Sequence, residues 1–141
     1  AEKGDGAFIR NARLRVSGRK DMASAMIAAG QPKHNPEAVA LFMQEYESVF
    51  QKSGGVRRYG SAALDLAYVA AGRYEAYWER FINAWDVAAG VLIVREAGGI
   101  ITQIDGRADA VHGNNILAGN PVIYEEMKTL LAGVKKQRDA A

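Results

Sequence analysis

The chain opens with short apolar stretches separated by turn-forming residues. Ala7–Arg10 and Leu14–Val16 flank a polar turn at Asn11–Arg13, and a third apolar run, Ala25–Ala29, ends at Gly30. Short apolar runs bounded by polar or glycine residues are typical of strands. We therefore predict a hairpin followed by a buried strand at the start of the chain.

The next apolar positions recur at helical spacing. Pro36 suits the first turn of a helix, and the pattern then continues to Gly54–Gly55. The spacing predicts an amphipathic helix, with Val56–Tyr59 as a short strand after it. The apolar positions of this helix are Ala38, Val39, Leu41, Phe42, Tyr46, Val49 and Phe50.

Two further predicted helices are apolar on nearly every face. Ser61 is a plausible N-cap for Ala62–Ala71, in which Asp65 is the polar exception. Asp86 directly precedes the second helix, Val87–Ala97. Helices that are apolar all round are usually buried between other elements. We expect both of them to lie against a sheet.

The remaining pattern completes a layered α/β domain. Tyr74–Trp78, Ile100–Ile104 and Asn115–Ala118 are predicted strands, and Pro121 starts a final amphipathic helix that reaches Leu131. Strands that alternate with buried helices favour a layered α/β architecture. We predict a single domain over residues 1–141, since 49% hydrophobic residues can fill one core.

Composition excludes several classes of function. The 18 basic and 16 acidic residues give a net charge of +2, which is no reason to expect direct nucleic-acid binding. The absence of cysteine excludes disulfides, thiolate metal sites and cysteine nucleophiles. No apolar stretch is long enough to cross a bilayer, and no signal peptide is visible. A cytoplasmic protein without a membrane segment is therefore expected.

One candidate site is the tripeptide Gly60-Ser61-Ala62 at the start of a buried helix. A helix N-terminus offers free backbone N–H groups and a partial positive charge, which suit a phosphate or a hydroxyl-rich ligand. The same residues also read as a glycine turn followed by a serine cap. On the pattern alone, this structural interpretation is favoured.

A second candidate is the pair of carboxylates Glu79 and Asp86, at the edge of an apolar region. Asp86 could cap its helix, or it could be an oxygen ligand of Mg²⁺. Glu79 could accept a hydrogen bond from a polyol hydroxyl, or it could simply be exposed at a strand end. The two histidines, His34 and His112, fall in loops and are predicted to be solvated. No nucleophile elbow, phosphate loop or dinucleotide fingerprint is present.

Taken together, the motifs resemble a known family. Trp85–Gly90, followed by Glu96–Gly99, resembles the C-terminal signature of the inositol monophosphatases. Gly60–Ala67 and Ala70–Glu79 match the same family in order and spacing. The resemblance runs over Gly6–Leu131. Within the family, the chain most resembles bacterial members of the extragenic-suppressor branch.

The resemblance implies a fold and roles for particular residues. The fold would be the C-terminal half of the family's αβαβα architecture. Asp86 would ligate a catalytic Mg²⁺ and also approach the substrate. Gly60, Ser61 and Ala62 would line the substrate pocket, and Glu79 would bind a hydroxyl of the inositol ring.

The resemblance also implies an activity that this chain does not complete. Family members hydrolyse phosphate monoesters with Mg²⁺, and the two-metal mechanism needs several carboxylates. In the family, the other ligands come from an upstream glutamate and an Asp-Pro-x-Asp-Gly-Thr motif, and nothing here matches either. We therefore expect that this chain lacks the family's N-terminal metal-binding half. We assign no catalytic residue to it. The full-length protein is expected to hydrolyse inositol monophosphate, and this chain alone to be inactive.

One loop departs from the family's pattern. Two residues after Glu79 the family usually has glycine, and before Trp85 it often has proline, whereas this chain has Phe81 and Ala84. Glycine adopts backbone conformations that phenylalanine resists. The loop that carries Glu79 is therefore expected to sit differently.

Other functions stay open. A relative that acts on fructose 1,6-bisphosphate or a 3′-phosphonucleotide would share the metal chemistry. A different class is a non-catalytic accessory factor that binds the transcription machinery through protein contacts. Arg57 and Arg58 could serve such an interface or be a solvated pair. The resemblance also favours a homodimer.

Overall fold

The computed structural model describes residues 1–32 and 35–139, with side chains as far as Val134. A single 3-10 turn, Met22–Ser24, precedes the first long strand. The strands are β1 (Phe8–Ile9), β2 (Ala12–Arg13), β3 (Met26–Ala29), β4 (Gly55–Arg57), β5 (Ala76–Arg80), β6 (Ile100–Thr102) and β7 (Asn115–Gly119). The helices are α1 (Pro36–Phe50), α2 (Ala62–Ala70), α3 (Ala84–Glu96) and α4 (Pro121–Asp139).

Five of the strands form one mixed sheet in the order β4-β3-β5-β7-β6. β3 lies parallel to both β4 and β5, and β7 lies antiparallel to β5 and β6. Ile27 pairs with Val56 on one side and with Ala76 on the other. As a result, the carboxyl ends of three parallel strands meet at one edge of the sheet. The hairpin of β1 and β2 stands apart from it.

Side chains that alternate along the strands build two cores, one on each face of the sheet. Ala28 and Tyr77 face α2 and α3. Ile27 and Trp78 face the opposite way, toward α1 and α4. The domain therefore has three layers, with two helices on each side of the sheet, and the layered α/β prediction is confirmed.

The predicted starts of α1 and α2 are confirmed, because local signals define them. Asn35 caps α1 by accepting the N–H groups of Glu37 and Ala38, with Pro36 at the first helical position. Ser61 caps α2, as predicted. Helix α4 runs to Asp139, beyond the predicted end at Leu131.

Several predicted boundaries are wrong, among them those of β5, which spans Ala76–Arg80 rather than Tyr74–Trp78. The second strand of the hairpin is Ala12–Arg13, inside the predicted turn, rather than Leu14–Val16. Val16 instead donates its backbone N–H to the carbonyl of Ala97, 3.1 Å away, so this segment pairs with a distant part of the chain. Helix α3 begins at Ala84, which places Asp86 inside its first turn rather than before the helix.

A buried ionic network joins α1 to the end of β5. Glu45 is fully buried, and its Oε1 accepts two hydrogen bonds from Arg80, at 2.8 and 2.6 Å. Its Oε2 accepts the indole N–H of Trp78 at 3.3 Å. These bonds fix Arg80 at the point where β5 leaves the sheet. Within residues 1–32 and 35–139, no helix combines the length and apolar character needed to cross a membrane.

Candidate functional site

A cavity of about 390 Å³ opens at the edge of the sheet where the three parallel strands end. Gly30 follows β3, Arg58–Ser61 links β4 to α2, and Phe81–Asn83 links β5 to α3. All three connections contribute to the cavity wall, together with the first turns of α2 and α3. Open α/β sheets commonly bind ligands beyond the carboxyl ends of their strands.

The five residues singled out from the sequence all line this one cavity. They are Gly60, Ser61, Ala62, Glu79 and Asp86. The structure thus brings together residues that lie up to 26 positions apart (86 − 60) in the sequence. Their roles in binding a substrate or a metal stay predictions.

At the start of α2, the backbone itself requires the glycine. Gly60 has φ 82°, a left-handed conformation that glycine adopts without strain. A Cβ added there would meet nothing within 4 Å, so close contact is not the reason for the glycine. The Oγ of Ser61 accepts the N–H of Leu64 at 3.4 Å. The structural interpretation, a glycine turn followed by a serine cap, is correct, and the cap still faces the cavity.

Asp86 lies in the first turn of α3 with an exposed carboxylate. The N-cap residue is Asn83, and Asp86 forms the third-residue half of a capping box, so its predicted capping role is confirmed from inside the first turn rather than from before the helix. The Oδ2 of Asp86 accepts the N–H of Asn83 at 3.4 Å. A negative charge in the first turn is favourable because of the helix dipole. The exposed carboxylate fits one ligand position of a divalent cation.

The carboxylate of Glu79 is held from two sides. Tyr77 donates its hydroxyl to Oε2 of Glu79. Glu79 also lies across Gly30, since a Cβ added to Gly30 would be 1.9 Å from its Cδ. Gly30 was identified from the sequence only as the end of a strand. Here it provides the space that the Glu79 side chain occupies.

A third carboxylate, that of Asp65, forms part of the cavity floor. Asp65 is only 1% exposed, and no described residue hydrogen-bonds its Oδ1. Burial raises the pKa of Asp65 to about 6, and the nearby charge of Glu79 adds to the rise. Burial likewise raises the pKa of Tyr77, with further contributions from Glu79, Asp65 and Asp86. The cavity therefore concentrates negative charge, which favours a cation.

Sequence reasoning missed several of the residues that line the cavity. Asp65 was noted as the single polar residue of an apolar helix, and that isolation was the signal of a special role. Arg58 was interpreted as part of a protein interface or of a solvated pair, and it provides positive charge at the cavity wall. The further lining residues are Gln31, Ala63, Phe81, Ile82 and Trp85.

The loop after Glu79 has a backbone conformation that is unusual for its residue. Phe81, at the position where the family usually has glycine, has φ 60°. The expectation that the loop sits differently from the family's stays a prediction. A left-handed conformation in such a residue costs about 1–3 kcal/mol and persists only where the surroundings impose it. Arg80 is bonded to Glu45, and the next residue, Ile82, is buried and donates its N–H to the carbonyl of Asn114 at 3.0 Å. These flanking contacts hold Phe81 in place.

His112 is not among the residues that line the cavity. His112 is an exposed loop residue, as predicted, and its Nδ1 lies 3.1 Å from both carboxylate oxygens of Asp109. His34 lies outside the described residues.

Gly30→Ala tests the contact with Glu79. The added methyl group must displace the Glu79 side chain or shift β3, and overpacking of this kind costs about 1–3 kcal/mol. We expect urea denaturation to show a loss of that size in the free energy of unfolding. Gly18→Ala is the matched control, because a Cβ there meets nothing within 4 Å, and it should change stability by less than about 0.5 kcal/mol. Equal effects of the two substitutions would contradict the contact.

Asp65→Asn tests the buried charge. Because the folded-state pKa, about 6, exceeds the ordinary value of 3.8, the folded chain binds more protons between these two values. Its free energy of unfolding therefore falls as the pH rises from about 4 to about 6. A rise of the pKa from 3.8 to about 6 lowers the free energy of unfolding by at most about 3 kcal/mol. Water in the cavity reduces this effect. We therefore expect Asp65→Asn to stabilise the folded chain by about 1–2 kcal/mol at pH 7.

Urea denaturation without divalent cations, repeated from pH 4 to pH 7, measures this effect. In the unmodified chain, Asp65 makes the free energy of unfolding fall between about pH 4 and pH 6. In the variant, this contribution to the fall should be absent. An unchanged pH profile would show that Asp65 is not the group responsible.

Comparison with known proteins finds similarity to members of one family. A model of the inositol monophosphatase family matches residues 1–139. The inositol-1-monophosphatase of Mesorhizobium japonicum is 45% identical over 139 residues, which are 99% of this chain and 51% of that protein. A protein of Pseudomonas aeruginosa named Nus factor SuhB is 40% identical over 133 residues, covering 93% of this chain and 49% of that protein.

Solved structures agree with this comparison. The extragenic suppressor protein suhB from Bartonella henselae superposes with a TM-score of 0.88 at 45% sequence identity. The superposition covers 93% of this chain and 51% of that structure. The chain spans about half the length of the curated relatives that it matches.

Proposed function

The chain belongs to the inositol monophosphatase family, and on that basis we propose that it forms the substrate-binding half of a Mg²⁺-dependent phosphatase. The reaction is the hydrolysis of inositol monophosphate to inositol and phosphate. The observation that carries this proposal is the convergence of Gly60, Ser61, Ala62, Glu79 and Asp86 on one cavity. In the proposal, the start of α2, Glu79 and Asp86 meet different parts of the substrate.

The start of α2 suits the polar groups of a phosphate ester. The first N–H groups of a helix have no partner within the helix. Leu64 uses its N–H in the bond to Ser61, so the N–H groups of Ala62 and Ala63 and the hydroxyl of Ser61 can contact ligand oxygens. Glu79, placed by Tyr77 and Gly30, can accept a hydrogen bond from a ring hydroxyl. Together they would orient the ester with its phosphate toward Asp86.

Asp86 would hold the Mg²⁺. A bound Mg²⁺ supplies positive charge that polarises the phosphoryl group and stabilises the leaving alkoxide. Mg²⁺ prefers carboxylate, water and phosphate oxygens, and Asp86 offers a carboxylate that is exposed at the cavity. The described residues include no group of three or more acidic, histidine or cysteine side chains able to hold a metal ion. We therefore propose that further ligands come from the full-length protein and that this chain alone has no appreciable activity.

Substrate profiling of the full-length protein tests this proposal. Inositol 1-phosphate, fructose 1,6-bisphosphate and a 3′-phosphonucleotide would each be assayed with Mg²⁺ and with EDTA. We expect Mg²⁺-dependent release of phosphate, with the highest kcat/KM among these three for inositol 1-phosphate. A preference for either of the other esters would assign the chain to that substrate class, which shares the same metal chemistry.

A second candidate function is a role in transcription, and the relatives named Nus factor SuhB favour it. Such a role would depend on protein contacts rather than on hydrolysis. A cell that carries Asp86→Asn in place of the natural residue separates the two. If the cellular role persists while hydrolysis disappears, the binding function is independent of the enzyme. The homodimer implied by the family is a further proposal, and sedimentation equilibrium of the full-length protein would test it.

A further inference from the structure

A buried hydroxyl lies directly behind the carboxylate of Glu79. Tyr77 is fully buried in the core that faces α2 and α3, and its hydroxyl donates to Oε2 of Glu79. A phenylalanine ring would fill the same apolar space, so packing does not require the hydroxyl. Burying a hydroxyl is unfavourable unless it forms a hydrogen bond. The bond to Glu79 therefore explains why the position suits tyrosine.

A second carboxylate, that of Asp65, repels Glu79. Asp65 is 1% exposed, and its Oδ1 has no hydrogen-bond partner among the described residues. Burial, together with the charge of Glu79, raises the pKa of Asp65 to about 6, so Asp65 is mostly ionised at pH 8. The charge of Asp65 also acts on Tyr74 and Tyr77, but burial raises the pKa of both phenols and they stay protonated. Two ionised carboxylates repel each other more strongly in a partly buried site than in water.

We propose that Tyr77 is a positioning residue that holds Glu79 against this repulsion and thereby sets the preference of the cavity for alcohols with ring hydroxyls. The bond to Tyr77 keeps the carboxylate across Gly30, where it lines the cavity. There Glu79 accepts a hydrogen bond from a hydroxyl of the ester. Without the Tyr77 hydroxyl, the carboxylate turns away from Asp65, and the site no longer favours a polyol over a plain alcohol. This inference rests on the proposed phosphatase function.

A pair of esters isolates the contact with Glu79. Inositol 1-phosphate and cyclohexyl phosphate are both monoesters of a ring alcohol, and only the first carries further ring hydroxyls. In the full-length protein with Mg²⁺ at pH 8, we expect Tyr77→Phe to lower the ratio of their kcat/KM values about tenfold. The loss should appear as a higher KM for inositol 1-phosphate, with its kcat and the kinetics of cyclohexyl phosphate unchanged. An unchanged ratio, or an equal loss for both esters, would overturn the inference.

Tyr124→Phe is the matched control. Tyr124 is 2% exposed, its hydroxyl lies 2.7 Å from Oγ1 of Thr102, and it is not among the residues that line the cavity. Both substitutions remove a buried hydroxyl that has a side-chain partner. Tyr124→Phe should leave the ratio within about twofold of the unmodified protein. A fall as large as that in Tyr77→Phe would mean that the loss of any buried hydroxyl has this effect, which contradicts a specific role for Tyr77.

Two double variants test how Tyr77 acts. In a Glu79→Ala background, Tyr77→Phe should lower the ratio no further, because no carboxylate remains to be held. In an Asp65→Asn background the like charge is gone, so Tyr77→Phe should lower the ratio by less than about threefold. An effect of Tyr77→Phe as large in either background as in the unmodified protein would show that Tyr77 acts independently of these carboxylates, and the inference would fall.

The inference can fail separately from the proposed function. If phosphate is released but the ratio does not respond to Tyr77→Phe, only the inference falls. If the protein releases no phosphate from any ester, the phosphatase proposal fails, and affinities measured by isothermal titration calorimetry decide the inference. It stands if Tyr77→Phe weakens the binding of inositol 1-phosphate about tenfold more than that of cyclohexyl phosphate. It falls if the two affinities change equally or if neither compound binds.

Discussion

Replacing Asp86 by asparagine is expected to lower kcat/KM for inositol 1-phosphate at least about 100-fold in the full-length protein. Asparagine keeps the size and the acceptor oxygen that receives the N–H of Asn83, so the first turn of α3 should stay folded. It removes the negative charge that would hold Mg²⁺. The Mg²⁺ concentration needed for half-maximal activity should rise as well. Phosphate release, titrated with Mg²⁺, measures both effects.

Asp105→Asn is the control for this substitution. Asp105 is exposed, pairs with Arg107, and is not among the residues that line the cavity. Its replacement should leave activity within about twofold of the unmodified protein. Full activity in Asp86→Asn, with an unchanged requirement for Mg²⁺, would rule out Asp86 as a metal ligand.

Replacing Glu45 by alanine is expected to lower the free energy of unfolding by about 3–5 kcal/mol. Glu45 is fully buried, and it accepts hydrogen bonds from the Arg80 guanidinium and the Trp78 indole. Removing one partner of a buried ion pair leaves the other charge desolvated and unpaired, which is strongly destabilising. The truncation also leaves a cavity in the core between α1 and the sheet. Urea denaturation measures the loss.

Glu47→Ala is the matched control, since Glu47 is exposed on the same helix and its carboxylate accepts a hydrogen bond from the side chain of Gln51. It should change stability by less than about 0.5 kcal/mol. A loss below about 1 kcal/mol in Glu45→Ala would mean that Arg80 finds another partner or water. In that case the anchor on this side of Phe81 would be weaker than the structure indicates.

Helices α1 and α2 could be predicted nearly to the residue because their ends depend on local chemistry. Pro36 and Ser61 mark their starts, and a change from apolar to glycine-rich sequence marks their ends. The hairpin boundary could not be predicted in this way. Its second strand stops early because Val16 bonds to Ala97, and no local pattern reveals a partner that distant.

The site was predicted in part. The residues carried over from the family resemblance all line the cavity, although their roles are still to be tested. Gly30 and Asp65 were missed because their importance depends on the register of parallel strands and on burial. Gly30 comes next to Glu79 only because β3 pairs with β5. Phe81 was identified as a departure from the family's pattern. Its left-handed backbone conformation depends on the contacts of Arg80 and Ile82, which no local sequence pattern reveals.

The most direct test of the account is a crystal structure of the full-length protein with Mn²⁺ and inositol 1-phosphate. Mn²⁺ shares the preference of Mg²⁺ for octahedral oxygen ligands, and its anomalous scattering locates it without ambiguity. The account predicts a Mn²⁺ peak at about 2.0–2.2 Å from a carboxylate oxygen of Asp86, with the inositol ring against Glu79 and the first turn of α2. Mn²⁺ and the ester bound together elsewhere, with this cavity containing only water, would contradict it.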